Sequence, residues 1–531
     1  MLIHRDRQPH LIFLVMSLLV LTSVGVAPTW ARPFRCAAQT PEGGLPAAAR
    51  PATAAATTTT HHEAIVIFAH FADENHPATP PAWAAGLLDP DRPGSVAHFY
   101  DDMSIGRHQL RGQVATQRYA SSAPAQTYVS TDAELKGDFG RFTLDILQQA
   151  DADIDFSNFD NDGPDGLPNS GDDDGVVDVV FINVATVPAG FLLREATGIA
   201  DLGFESSFVT NDSGIGGTQI RIAPDSGTLQ ESPGESLTAG TMAHEYGHIL
   251  GLPDLFDVQW TGSPTDPAQD SAGIGRWGLM GWGALGWEGA PGPNSLSAWS
   301  RLRLGWAQVL EQTSIEAEVE LEPVGRAGQM GRVPLNGNEY FLLEYRRRDA
   351  SHYDRGIPGE GLLIWHVRRA VVEGEVAFWW DIDLECADGL WQDAGFPTGQ
   401  QAAPASGDDN LDFWAHDADY ASRHSGNQGD ATDLFDGMAS SRFAADTNPA
   451  AISTDGETQI AVEEIALHED RAVFIVRSSP PILHLSDVTP RSPRVTAGTP
   501  MAITFRLANL SGAPASDLRA SVHTLDKTLE I

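Results

Sequence analysis

Two histidines, a glutamate and an aspartate are spaced so that they could build a zinc hydrolase site. They lie in the segment 244–254, which reads His-Glu-x-x-His-x-x-Gly-x-x-Asp. On a helix, His244 and His248 share one face about 6 Å apart along the axis, so both imidazoles can reach one metal ion. Glu245 lies beside the open position of that metal, where it can take a proton from a water whose pKa zinc lowers to about 7. This spacing predicts a zinc site with Glu245 as general base.

The end of the predicted helix carries the third ligand. Gly251 suits a residue that leaves the helix in a left-handed conformation, and Pro253 prevents the helix from continuing. The chain can then turn back and bring Asp254 under the metal, so the predicted zinc ligands are His244, His248 and Asp254. The alternative is an ordinary amphipathic helix with hydrogen-bonded histidines. The added glycine and aspartate make the full motif about a hundredfold rarer than a chance HExxH, which favours zinc.

A second cluster of potential ligands lies between residues 158 and 178. Carboxylates recur there at every second position with glycine at the turn, a pattern whose oxygens can converge on one Ca²⁺ ion. The match to a helix-loop-helix calcium site is partial, because Asn169 stands where the closing glutamate belongs. Calcium is favoured over a solvated acidic loop, since this many carboxylates repel one another unless a cation binds. The predicted ligands are Asn158, Asp160, Asp162, Asp165, Asp172, Asp174 and Asp178.

Hydrophobic patterns place both sites in an α+β region. The apolar runs 64–69 and 176–184 each predict a buried strand, and apolar residues recur at helical spacing over 139–150. Strands and helices alternate up to the zinc helix, as in a mixed sheet packed by helices. An alternating pattern predicts a half-buried strand over 315–321, and further short strands are predicted over 340–345, 362–367 and 472–476. The second half is therefore expected to be β-rich.

The second half also contains a histidine in a strand, a long polar stretch and a new strand pattern near its end. His366 lies in a predicted strand and is interpreted as a hydrogen-bonded core histidine. The polar stretch 388–437 predicts long loops, in which Asp408, Asp409 and Asp430 could bind a further cation. From residue 480 a new alternating pattern resembles the start of an immunoglobulin-like β-sandwich, which we expect to be truncated because such a domain needs about 100 residues.

Composition and the first residues predict a secreted protein. The chain has 531 residues and a formal net charge of −39, from 72 acidic and 33 basic residues, which argues against nucleic acid or an anionic membrane as partner. Residues 1–31 have a basic start, an apolar run over 11–26 and small residues before the end, as in a secretory signal peptide. A membrane anchor is the alternative, but the run is short of the roughly 18 to 20 residues that a spanning helix needs. No membrane insertion is expected after signal removal.

Residues 32–62 form a predicted flexible leader that is rich in Ala, Thr and Pro and cannot bury a core. This leader contains Cys36, and Cys386 is the other cysteine of the chain. Three states are open: a disulfide between them, two thiols, or a Cys36 thiolate that ligates the zinc and blocks the water site. We expect processing to leave a mature start near Glu63.

Downstream motifs carry a family resemblance. With the turn 277–280, Trp-Gly-Leu-Met, and the motifs 95–100, 339–345 and 361–367, the chain resembles the immune inhibitor A family of secreted bacterial zinc peptidases, which are of the metzincin type. The resemblance implies that Met280 forms an apolar floor below the zinc, and that aspartate replaces the third histidine of most metzincins. Trp282 stands where some metzincins carry a tyrosine, so the oxyanion-stabilising group stays unassigned.

These patterns predict three folded parts after the leader. They are a metzincin-like α+β catalytic domain over 63–310, a β-rich part over 311–478 and the start of the sandwich over 479–531. The expected function is a secreted zinc-dependent endopeptidase that cleaves proteins or peptides and is supported by calcium; the last domain could hold a surface or polymer ligand. The alternative is an inactive adhesion or surface-binding protein on a peptidase scaffold. The intact zinc motif argues against it.

Overall fold

The structure is a computed structural model, and it describes the regions that hold both predicted metal sites. The described residues are 36, 59–132, 135–193, 196–256, 272–312, 316–336, 339–368, 381–388, 428–456, 458–478, 483–490 and 503–509. The predicted signal peptide, most of the leader, and Asp408 and Asp409 lie outside them. Within these ranges, no helix is long and apolar enough to cross a membrane.

The first half begins with alternating strands and helices, as the sequence predicts, but five short strands then follow one another without an intervening α-helix before the helix that carries the zinc motif. In chain order its elements are β1 (Thr60–His70), α1 (Val96–Ser104), β2 (His108–Ala120), α2 (Phe139–Ala150), β3 (Val179–Val184), β4 (Gly198–Ile199), β5 (Phe208–Ser213), β6 (Gln219–Ile222), β7 (Gly227–Gln230), α3 (Glu235–Ile249) and α4 (Ala298–Arg303). The strand β1 begins at Thr60, so the folded part starts three residues before the expected mature start at Glu63.

The central sheet of this half is mixed and buried on both faces. Its order is β2-β1-β3-β7-β4, with parallel pairing except for β4, the antiparallel edge strand. Ala64, Val66 and Phe68 of β1 pack on the side of α1 and α3, while Ile65 and Ile67 pack on the side of α2. Because both faces of β1 are covered, its apolar run is continuous rather than alternating.

The second half is β-rich, as predicted. Its elements are β8 (Gln308–Glu311), β9 (Ala317–Leu321), α5 (Val324–Ala327), β10 (Gln329–Pro334), β11 (Tyr340–Arg346), β12 (Gly361–Val367), β13 (Ile382–Leu384), β14 (Phe443–Ala444), β15 (Ile460–Leu467), β16 (Ala472–Ser478), β17 (Leu483–Pro490) and β18 (Ile503–Asn509). The strands form the sheets β13-β12-β11-β10-β8 and β14-β15-β16-β9, and β17 pairs with β18 as the only partner among the described residues. One strand pair does not make the expected immunoglobulin-like sandwich, which is therefore not shown.

The two halves share one hydrophobic core. Met242 and Ala243 of α3 belong to the same buried cluster as Leu342 of β11 and as Leu363 and Trp365 of β12. The packing that supports the zinc-motif helix therefore continues past residue 310, where the sequence places a boundary.

A buried arginine ties the second half to the turn after α3. The guanidinium of Arg346 donates to Glu344 and Asp354 at 2.8 Å each, and also to the carbonyl of Leu296 at 2.8 Å and that of Trp277 at 3.4 Å. Because both carboxylates are buried as well, loss of the arginine would leave uncompensated charge in the core. The position of the Trp277 turn thus depends on β11.

Candidate metal centre

The end of α3 directs the chain back toward the motif histidines. Gly251 has a φ of +87°, and its amide donates to the carbonyl of His248 at 2.8 Å. The amide of Leu252 donates to the carbonyl of Gly247 at 2.9 Å, which completes a glycine-terminated helix cap. Asp254 follows three residues later and meets the histidines, as the sequence predicts.

The three predicted zinc ligands converge on one point. Nε2 of His244 lies 3.2 Å from Nε2 of His248, and Oδ1 of Asp254 lies 3.0 Å from the first and 3.5 Å from the second. Each Nδ1 faces a backbone carbonyl, that of Leu279 at 3.0 Å for His244 and that of Leu252 at 2.8 Å for His248. Such carbonyls hold the Nδ1 protons and leave both Nε2 lone pairs for a metal. Two nitrogens and one carboxylate oxygen are a donor set that fits Zn²⁺.

Met280 lies directly beneath the helix. A Cβ atom at Gly247 would lie 2.6 Å from Sδ of Met280, so the helix can approach the methionine this closely only because residue 247 is glycine. The carbonyl of Met280 accepts the amide of Leu255 at 2.8 Å, which ties the segment after Asp254 to the same turn. This position agrees with the apolar floor that the family resemblance implies.

Glu245 is fully buried beside the ligands, and its Oε1 atom has no hydrogen-bond partner. Burial raises the pKa of Glu245 to about 7, against the opposing effect of the two imidazoles. Burial alone would lower the pKa of His248. The effect of the nearby Asp254 carboxylate is larger, so the pKa of His248 is raised to about 9. The histidines in turn hold the pKa of Asp254 far below its usual value despite its burial. The opposite charges of the group thus compensate one another around the point where the ligands meet.

Cys36 completes the group. One ligand atom each of Cys36, His244, His248 and Asp254 lies within 4.8 Å of all the others. Sγ of Cys36 lies 3.3 Å from Nε2 of His248 and 3.9 Å from Oε2 of Glu245. Burial, followed by the negative charges of Asp254 and Glu245, raises the pKa of this thiol. Both cysteines of the chain are thiols, so the structure does not contain the disulfide that was one of the three expected states.

Two contacts hold Cys36 in this place. Its backbone forms a parallel bridge with Gly198 in the edge strand β4. Its side chain packs against a small apolar cluster of Phe256, Ala272 and Trp282 beside the ligands. Residue 36 therefore occupies part of the edge of β4 and of an apolar wall beside the ligands, where a peptide strand could otherwise bind.

A polar network behind α3 was missed by sequence reasoning. The hydroxyl of Tyr246 lies 2.7 Å from Nε2 of His108 and 2.7 Å from Nδ1 of His62, and Nδ1 of His108 lies 2.7 Å from the hydroxyl of Thr60. Burial lowers the pKa of His62 to about 4 and also lowers that of His108. The network joins the starts of β1 and β2 to the helix residue next to Glu245. Its only sequence signal is a pair of histidines in otherwise ordinary strands.

The acidic loop brings together fewer ligands than predicted, and one that was not predicted. Asp160, Asp162 and Asp173 have ligand oxygens within 4.8 Å of one another. Asp160 is 2% exposed, its Oδ2 accepts the amide of Gly175 at 3.0 Å, and its Oδ1 is buried without a hydrogen-bond partner. Oδ1 of Asn161 is also buried without a hydrogen-bond partner. Burial and the neighbouring carboxylates, first that of Asp173, raise the pKa of Asp160 to about 7.

The other predicted loop ligands lie outside this group. Asp178 accepts the amides of Asn161 at 3.1 Å and Glu63 at 2.6 Å, and so joins the loop to β1. Asn158 is exposed and donates to the carbonyl of Asp155 at 3.1 Å. The remaining three are not in the group either: Asp165, Asp172 and Asp174. Asp173 was missed because the every-second-position pattern selects its two neighbours, whereas the loop is not a strand and does not keep that period.

Comparison with known proteins identifies relatives of the region around α3. Residues 85–310 match the family model described as immune inhibitor A peptidase M6, catalytic domain. Among curated proteins, the chain is similar to the pre-pro-metalloprotease PrtV of two strains of Vibrio cholerae serotype O1, with 27% identity over 231 residues in each case. The alignment covers 39% of this chain and 23% of each relative. The chain thus spans less than a quarter of the length of these relatives.

Proposed function

We propose that the protein is a zinc-dependent endopeptidase, because residues 85–310 match the catalytic-domain model of the immune inhibitor A peptidase family. The observation that carries the proposal is the convergence of His244, His248 and Asp254 beside the buried carboxylate of Glu245. Zinc in a site of this kind supplies a Lewis acid that polarises a carbonyl and lowers the pKa of water to about 7. The substrates are peptide bonds in proteins, as the family implies.

Other residues of the chain orient the zinc ligands, transfer the proton and exclude water. The carbonyls of Leu279 and Leu252 keep the imidazoles of His244 and His248 in the orientation that presents Nε2. Glu245 accepts a proton as the nucleophile forms and later delivers it to the leaving amine. Met280 and the apolar residues around it exclude water from beneath the ligands.

We also propose that Cys36 keeps the unprocessed chain latent. Its thiolate would occupy the coordination position that a substrate or water needs, since a coordinating thiol is deprotonated by the metal. The proximity of Sγ to His248 and the strand bridge to Gly198 support this state over two unrelated thiols. Removal of the leader would then open the site.

The acidic loop is proposed as a structural calcium site. Asp160, Asp162 and Asp173 offer carboxylate oxygens, and the buried Oδ1 of Asn161 offers an amide oxygen, which are the ligand types that Ca²⁺ takes. Secretion, the last element of the proposal, rests on the sequence of residues 1–31, which lie outside the described ranges.

The function is tested with Glu245→Gln in the processed protein. We expect unchanged zinc content and a loss of peptide cleavage by about a hundredfold or more, because only the proton acceptor is removed. Glu235→Gln, in the first turn of the same helix, is the matched control and should leave cleavage unchanged. Activity near wild type in zinc-loaded Glu245→Gln would contradict the role. A zinc chelator should stop cleavage in the wild type, whereas an inactive surface-binding protein would show no cleavage at all.

The ligand assignment is tested separately with Asp254→Ala. A site reduced to two histidines should retain little zinc after dialysis, which metal analysis of the purified protein measures. Zinc at one per chain in this variant would mean that another group is the third ligand.

A further inference from the structure

A second group of carboxylates, separate from the acidic loop, lies behind the turn that carries Trp277. It consists of Asp388 and of Asp430 and Asp433 from a second loop of the β-rich half, with one oxygen of each within 4.8 Å of the others. Asp433 is fully buried, whereas Asp430 is exposed and Asp388 is partly exposed. The group therefore reaches from the core to the surface. It lies in different segments from the acidic loop and from the ligands on α3.

Only one of the two carboxylate oxygens of Asp433 accepts a hydrogen bond. Its Oδ2 accepts the indole Nε1 of Trp277 at 2.6 Å and the amide of Asp430 at 2.8 Å. Its Oδ1 is buried and has no hydrogen-bond partner. Burial, followed by the negative charge of Asp430, raises the pKa of Asp433 to about 7, and the charge of Asp388 acts in the same direction. A bound cation would give this buried acceptor a partner and would reduce the repulsion among the three carboxylates.

We propose that Asp388, Asp430 and Asp433 bind a divalent cation of the calcium class. Three carboxylates without nitrogen or sulfur donors suit a hard cation, and the exposed side at Asp430 leaves room for the water ligands that complete a coordination number of about six to eight. Thr432 fixes the geometry, because its hydroxyl lies 2.6 Å from oxygens of both Asp388 and Asp430. Asp430 is one of the residues that the sequence suggests for a further cation, but its partners are Asp388 and Asp433.

The ion would stabilise the segment from Trp277 to Leu279, which lies next to the zinc ligands. Trp277 stands two residues before Leu279, whose carbonyl accepts Nδ1 of His244. The loop before Asp433 also holds this turn, since the carbonyl of Gln428 accepts the amide of Arg276 at 2.8 Å. A cation that holds the carboxylate of Asp433 in place therefore stabilises the segment that orients a zinc ligand. This role goes beyond the proposed peptidase function and does not depend on it.

The test uses terbium as a luminescent substitute for calcium in the full-length, zinc-loaded protein. An ion on Asp433 would lie close to the indole of Trp277, so excitation of tryptophan should sensitise it, whereas the acidic loop over 158–178 contains neither Trp nor Tyr. We expect saturable luminescence that calcium displaces. Asp433→Asn keeps an acceptor for Trp277 but removes the charge, and should weaken terbium binding by more than about tenfold, since even the loss of an outer-shell partner commonly costs that much.

Two further variants make the result decisive. Asp430→Asn changes only an exposed side chain and should weaken binding in the same way, so the test stands even if Asp433→Asn does not fold. Asp162→Asn, in the acidic loop, is the control and should leave the sensitised signal unchanged. Luminescence that is equal to wild type in Asp430→Asn and Asp433→Asn would overturn the site. A melting temperature that does not respond to calcium in Asp162→Asn would also overturn the site, because a cation bound by Asp433 should still stabilise the folded state of that variant.

Discussion

The thiol of Cys36 reaches the metal centre from a residue more than two hundred positions before His248 in the sequence. It is the residue for which the structure changes the interpretation most, because the sequence leaves a disulfide, two thiols and a zinc ligand open. A zinc–thiolate bond would hold residue 36 in the position in which its backbone bridges Gly198 at the edge of β4. It would also prevent the buried Glu245 from acting on water before the leader is removed.

Cys36→Ser should activate the unprocessed protein, since a hydroxyl is a much poorer zinc ligand than a thiolate. We expect peptide cleavage by this variant without removal of the leader, whereas the unprocessed wild type and the control Cys386→Ala stay inactive. In cobalt-substituted protein, the thiolate-to-metal absorption band should be present in the wild type and absent in Cys36→Ser. A silent, unprocessed Cys36→Ser that is activated only by cleavage would show that the leader blocks the site by other contacts.

At the scale of elements, the acidic loop and the strand pair β1 and β2 lie on the side of α3 that faces away from the zinc ligands. The acidic loop is joined to β1 through Asp178 and lies next to the start of the network of Thr60, His62, His108 and Tyr246. That network joins β1 and β2 to Tyr246 of α3. The stability of both features should therefore respond to ions and to pH.

Calcium should raise the melting temperature through the acidic loop. A ligand that binds only the folded state stabilises it by about 2.7 kcal/mol at a hundred times its dissociation constant. Asp162→Asn removes one of the grouped carboxylates and should reduce the calcium-dependent rise, measured with zinc resupplied throughout. Asp165→Asn, a predicted ligand that lies outside the group, is the matched control. An equal calcium-dependent rise in melting temperature in both variants would mean that the acidic loop does not bind calcium through Asp162.

Acid should destabilise the fold through the buried histidines. The folded-state pKa values of His62, at about 4, and of His108 are lower than the unfolded value of about 6.5, so the unfolded chain binds more protons between these limits. The free energy of unfolding must then fall as the pH falls from about 6.5 towards 4. In the unprocessed protein, which retains residue 62, His62→Asn should make the melting temperature less dependent on pH in this window. The exposed His468→Gln should keep the wild-type slope, and an unchanged slope in His62→Asn would refute the assignment.

At the scale of the whole molecule, the catalytic region depends on the β-rich half. The core around α3 contains Leu342, Leu363 and Trp365, and the Trp277 turn is held by Arg346 and Asp433. A chain that ends at residue 310 loses all of these contacts and should not give a cooperatively folded peptidase. A chain that ends at residue 478 keeps every residue of that core and should fold. Circular dichroism melting of the two truncated proteins measures this, and a cooperative transition in the shorter one would contradict it.

Several features follow from the sequence because they are local or periodic. The family match confirms the resemblance read from the zinc motif and the downstream turn. The helical spacing of His244 and His248, and the left-handed turn at Gly251, depend only on residues within one or two helical turns. The buried strand β1 was predicted from its continuous apolar run, since a strand with both faces covered must be apolar at every position. His366 is a buried, hydrogen-bonded histidine as interpreted, between Glu339 and Glu385.

The remaining features depend on where distant segments meet. Sequence spacing cannot show that the carbonyl of Leu279 orients His244, that Cys36 enters the metal group, or that Asp433 lies against Trp277, because each contact joins residues that are far apart in the chain. In the acidic loop, the choice of Asp173 over its neighbours depends on backbone turns that no period describes. Local periodicity therefore determines the helix and its two histidines. Long-range packing alone decides what surrounds them, because it depends on the path of the whole chain.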